Sequence, residues 1–108
     1  MELQEYQTAD GVSPFAEWFD GLHAAAAAKV TTALTRLGLG NVSKVKGVGA
    51  GVFEVKIDFG PGYRVYFGRD GDEIVILVGG GTKKKQDRDI EDAKDRWQDY
   101  KVRKRAGT

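Results

Sequence analysis

The sequence predicts an α+β domain of order β-α-α-β-β-β-α, with its helices on one face of an antiparallel sheet. Three observations point there. Apolar residues recur at helical spacing up to Leu37, at a spacing of two from Val52, and at helical spacing again from Ile90. Turn signals, Gly60-Pro61-Gly62 and Asp70-Gly71, separate the alternating runs. The 108 residues suffice for one core, so a single domain over 1–108 is expected, with a frayed basic tail at about 102–108.

"MELQEYQ" alternates weakly and suits a short strand. In "SPFAEWFDGL", Ser13 can cap a helix and Pro14 fits its first position, where a missing N–H costs nothing. Phe15, Trp18, Phe19 and Leu22 then form one apolar face. "HAAAAAKVTTALTRLG" reads as a second helix with Val30, Leu34 and Leu37 in a stripe, giving a helical hairpin that turns near residues 20–22. His23, at that corner, reads as a surface or capping side chain. "GLGNVSKVKGVGAG" is expected to be a glycine-rich loop, because no strand-then-helix frames its glycines as a dinucleotide fingerprint requires.

From Val52, Phe53, Val55, Ile57 and Phe59 alternate with Glu54, Lys56 and Asp58. "YRVYFGR" runs back, and "EIVILV", apolar throughout, is expected in the sheet interior. A three-residue turn would pair Phe59 with Tyr63, Ile57 with Val65 and Val55 with Phe67. An Asp70-Gly71 hairpin would pair Arg69 with Asp72, setting Phe67 against Ile74 and Val65 against Ile76. One face is then apolar. The other is open and collects Asp58 beside Arg64, as an ion pair, and Lys56 beside Tyr66, with Glu54 and Glu73. The last helix, from about residue 83 to 102, buries a narrow stripe of Ile90, Ala93, Trp97 and Tyr100.

Composition removes several classes of function. There is no cysteine, so disulfide and thiolate chemistry are excluded, and the single histidine leaves few zinc ligands. No apolar run approaches a membrane span and no signal-type segment opens the chain, so a cytoplasmic protein is expected. The net charge is only +1, but residues 1–43 carry two basic and five acidic side chains, whereas residues 44–108 carry fifteen and eleven. Polyanion contact must therefore be local. Lys56 and Arg64 project from the open face, and Lys83, Lys84 and Lys85 stand where a strand gives way to a helix. That terminus is the positive end of the helix dipole and favours acids over lysines. A solvated charged face accounts for these cations on composition alone. Cations beside an exposed Tyr66 would instead suit single-stranded RNA, with charge for phosphates and a π-face for a base.

"KVKGVGAGVFEVKIDFGPGYRVYFGRDG", followed by "GGGTKKKQDRDIEDAKDRW", resembles the RelE/ParE superfamily of toxins from type II toxin–antitoxin modules. The HigB-like addiction module killer protein branch, typically "ELRIDYGPGYRVYY" and "GGDKSTQDRDIxxA", is the nearest in pattern. The resemblance implies a ribosome-dependent, metal-independent and cofactor-free mRNA endoribonuclease, neutralised by a cognate antitoxin that is a small DNA-binding protein. In that reaction an RNA 2′-hydroxyl attacks its neighbouring phosphate. A base, an acid and cations serve the transition state. By the same resemblance Arg64 holds the scissile phosphate, Lys56 is a phosphate clamp or base, and Lys83 is a second clamp or the acid. Thr82 stands where the family has a capping Asp. Lys84, Lys85, Lys44 and Lys46 add charge toward RNA. The base-stacking tyrosine of RelE has no counterpart between residues 86 and 91, which leaves Tyr66 as its substitute. The superfamily also contains ParE-like proteins that inhibit DNA gyrase by binding, and a degenerate relative would bind only its antitoxin.

Overall fold

The computed structural model describes residues 1–107. β1 (Glu2–Glu5) leads to α1 (Pro14–Asp20) and α2 (Ala24–Gly38). Then come β2 (Val45–Gly49), β3 (Val52–Ile57), β4 (Tyr63–Asp70) and β5 (Ile74–Thr82). A 3₁₀ turn (Lys83–Lys85) opens directly into α3 (Gln86–Ala106). The helical hairpin starts as its sequence dictates. Ser13 Oγ accepts the Ala16 N–H at 3.0 Å with Pro14 in the first turn, and His23 Nδ1 caps α2 by accepting the Ala26 N–H at 3.3 Å.

The sheet has five strands in the order β1-β5-β4-β3-β2. It is mixed, because β1 pairs parallel to β5 with Leu3 opposite Val75, while the other pairs are antiparallel. The segment expected to be a glycine-rich loop contributes β2, which makes the order β-α-α-β-β-β-β-α. Its glycines make a hairpin turn: Gly49, Ala50 and Gly51 all have positive φ, at 103°, 54° and 81°. That is a left-handed path on which a side chain is tolerated at only one of the three.

Two registers differ from expectation. β3 and β4 join through a longer turn, so Ile57 lies opposite Tyr63 and Val55 opposite Val65. The shift is two residues, so each side chain keeps its face. Between β4 and β5 the parity itself changes, with Phe67 opposite Leu77 rather than Ile74, and a bulge follows between Tyr66 and Phe67. Val75 and Leu77 therefore join Phe67 under α1 and α2, while Ile76 and Val78 turn to the opposite face under α3. Helices thus cover both faces instead of one. This explains why β5, an interior strand, is apolar at every position from Ile74 to Val78: both of its faces are covered.

The three consecutive glycines of β5 let the helices approach this closely. A Cβ on Gly80 would overlap the Trp18 ring on the α1 side. On the α3 side, Cβ atoms on Gly79 and Gly81 would collide with Arg96 and Asp89. Gly68 clears the Trp97 ring in the same way. Without side chains at these points, two indole rings and two charged side chains lie directly on the backbone of the sheet.

Candidate functional site

Lys56 and Arg64 face one another across β3 and β4, two rungs from the pair Glu54 and Tyr66 and on the same face. Lys46 stands opposite Glu54 on β2. All of these project toward the α3 side. Because α3 lies over that side, Glu54 and Arg64 are only 3% and 5% exposed, and Tyr66 is fully buried. The open face expected there is thus closed by a helix. Tyr66 presents no surface to a base. Burial, reinforced by the charges of Glu54 and Asp89, also pushes its phenol far above its ordinary pKa.

Glu54 is the centre of the buried polar group. Its carboxylate accepts both Gln86 Nε2 contacts, at 3.1 and 3.3 Å, and lies 3.5 Å from Arg64 Nε and 3.6 Å from Lys46 Nζ. One acid thereby joins β2, β4 and the first turn of α3. Arg64 is turned by this contact. Its Nη1 reaches the Gly62 carbonyl at 3.4 Å, and the same carbonyl accepts the Lys83 N–H at 2.8 Å. Gly62 lies close to both Arg64 and Lys83, because a Cβ there would sit 3.4 Å from Arg64 Nη1 and 3.6 Å from Lys83 Cβ. The loop thus fastens the lysine turn beside the arginine.

Asp58 pairs with Lys44 at 3.2 Å and Lys56 at 3.4 Å, not with Arg64 as the expected register required. The hydrogen bond from Lys44 and then the charge of Lys56 hold its carboxyl below the usual carboxylate range. Lys83, Lys84 and Lys85 are exposed on the 3₁₀ turn, and Thr82 makes no side-chain cap there. The positive end of the helix dipole is met by Asp87 and Asp89 in the first turn of α3, and the three lysines gain nothing from it. Asp89 Oδ2 is buried without a hydrogen-bond partner, and so are Arg64 Nε and Tyr66 Oη. Burial, then the Asp92 charge, raises the Asp89 pKa against the opposing effect of Lys85, Arg96 and Arg88.

The structure thus gathers Lys56, Arg64, Lys83 and Lys46 and links Lys44 to them through Asp58. Lys84 and Lys85 stand on the rim. Glu54 and Gln86, to which the sequence had pointed no role, supply the support. Recognising β2 as a strand would have put Lys46 across from Glu54 and exposed that role. Among the described residues there is no group of three or more His, Asp or Glu able to hold a metal, and no helix long and apolar enough to cross a membrane.

A mixed sheet between a helical hairpin and a terminal helix, with cations gathered at one end of the strands, defines a small α+β protein. Residues 17–98 match the family described as "Phage derived protein Gp49-like (DUF891)", and the chain belongs to that family, a toxin-like addiction-module family related to RelE/ParE. It is also similar to an uncharacterized protein of Haemophilus influenzae, 43% identical over 81 residues, or 74% of this chain and 82% of the relative.

Proposed function

We propose that this protein is the toxin of a toxin–antitoxin pair, and that it cleaves mRNA on the ribosome by attack of a 2′-hydroxyl on the adjacent phosphate. The reading is carried by one arrangement: Arg64 and Lys83 share the Gly62 carbonyl, and Lys56 stands directly across from Arg64. Three cations at one end of a sheet suit the extra negative charge of a pentacoordinate phosphate. Arg64, braced through Glu54, is the fixed phosphate ligand. Lys56 is ion-paired with Asp58, which suits a charged clamp better than a base. Lys83 is exposed and, among the described residues, has no carboxylate partner, so it can deliver a proton to the departing 5′-oxygen. A cognate antitoxin would cover these cations, and the protein would act in the cytoplasm, where ribosomes are.

Lys83→Ala is the cleanest test, since its side chain supports no packing. Primer extension on cellular mRNA after induction should show cuts with the wild type. The variant should cut about 100-fold less, the scale of losing one transition-state donor. Undiminished cutting would overturn the assignment. A second reading, a ParE-like toxin that binds gyrase, draws on the burial of Tyr66, which leaves the site without a base-stacking ring. A DNA-damage response without mRNA cuts would establish it instead.

A further inference from the structure

Between α2 and the end of β3 runs a groove of about 330 Å³. Lys29 and Arg36 line it from α2, and Lys44, Lys56 and Asp58 from the strand side. The seven-residue separation of Lys29 and Arg36 spreads their charges over about 10 Å of helix. That is a path rather than a single-anion pocket. Four cations face one carboxylate, and Asp58 is already committed to Lys44 and Lys56. Among the described residues, neither Lys29 nor Arg36 has an acidic partner.

The groove leads into the site already described. Lys29 Nζ lies 5.6 Å from the centre of the half-buried Phe59 ring. Phe59 begins the loop whose Gly62 donates to its carbonyl at 3.0 Å and accepts from Lys83 at 2.8 Å. Lys56 belongs to both places. A strand of phosphates leaving Arg64 would reach the groove by way of Lys56, which stands opposite Arg64 and lines the groove.

We propose that the groove is a second nucleic-acid subsite, in which Lys29 and Arg36 each bind a phosphate of single-stranded RNA flanking the cleaved nucleotide. An acidic protein segment is the less suitable occupant. Such a segment needs apolar anchors, and the apolar strand residues here, Val55 and Ile57, are only 4% and 6% exposed. Phosphates need only charge and donors. The proposal rests on the nuclease reading.

The test is binding of a fluorescent, uncleavable 2′-O-methyl RNA oligonucleotide across a salt series, with the full chain. Comparison is made with Lys83→Ala and with the double variant Lys29→Ala/Arg36→Ala, after thermal melts confirm that both fold. Two lost phosphate contacts should lower the slope of log affinity against log salt by about 1.4 and weaken binding roughly tenfold near physiological salt. An unchanged slope in the double variant, with Lys83→Ala still lowering it, would overturn the groove and leave the nuclease reading standing. Absence of RNA binding by the wild type would overturn both. If the double variant kept RNA binding but lost its antitoxin, the groove would be a protein-docking surface and the proposal would be wrong.

Discussion

The two faces of the sheet are built from the same strands, yet they are held by different forces. Under α1 and α2 the contacts are apolar: Phe15, Val30 and Leu37 close on Val55, Val65, Phe67, Val75 and Leu77. Phe53 stacks on Phe67 with ring centres 5.6 Å apart. Under α3, the apolar group of Val52, Ile76, Val78, Ala93 and Trp97 adjoins a buried carboxylate, a buried guanidinium and an unpaired phenol. The first face maximises area removed from water. The second holds charged groups that burial makes costly unless they are paired. Cost of that kind is concentrated where a protein positions charge for use, and here it surrounds Arg64.

Three experiments sharpen the contrast, in decreasing order of expected effect. On the apolar face, Gly80→Ala drives a methyl group into the rigid Trp18 ring, and Gly68→Ala does the same to Trp97 on the other face. Each should lose about 3 kcal/mol or more, the upper end of overpacking. Gly81→Ala meets only the Asp89 carboxylate, which can swing toward solvent. It should cost well under half as much in denaturant unfolding. Equal losses at Gly80 and Gly81 would mean that the Asp89 carboxylate is held as rigidly as the Trp18 ring.

Next, Glu54→Gln keeps the shape of the side chain but removes the charge facing Arg64 and Lys46. A loss of about 1.5–3 kcal/mol is expected, the scale of hydrogen bonds to charged groups. The loss should be smaller in an Arg64→Gln background, because the two charges would then no longer depend on each other. An additive double-mutant cycle would refute the coupling.

The smallest effect has the opposite sign. Asp89 has a raised pKa in the folded chain, so at neutral pH its charge opposes folding. Asp89→Asn should therefore stabilise the protein by at most about 1 kcal/mol, a few degrees in Tm for a domain of this size. As pH falls through the folded pKa of Asp89, the wild-type carboxyl becomes neutral and the advantage should disappear. An advantage that persisted at pH 3 would point to packing instead of charge.

Much of this architecture is written in local pattern. The caps at Ser13 and His23 follow from side chains that reach only three residues along the chain. The alternation from Val52 to Phe59 fixed which side chains share a face, and it survived the change in turn length because two residues restore the same side. The candidate site was legible as a set of cations, Lys56, Arg64 and Lys83, but the burial of Arg64, Glu54 and Tyr66 was not. Tyr66 shows why. A residue alternating with core positions reads as exposed only if nothing covers its face, and what covers it is α3, which follows β5 in the chain.

The sequence by itself therefore determined the elements whose signals are short-range: the helical hairpin, the alternating strands and the charge of the lysine turn. Tertiary structure alone decided what depends on elements far apart in the chain. β1 adds in parallel to β5, β2 forms from a segment rich in glycine, and a bulge lets β5 serve two cores. The three glycines before the lysines appear in sequence as flexible punctuation. In the fold they are the clearance that lets Trp18, Arg96 and Asp89 reach the sheet, because only a neighbouring helix determines whether an absent side chain is needed.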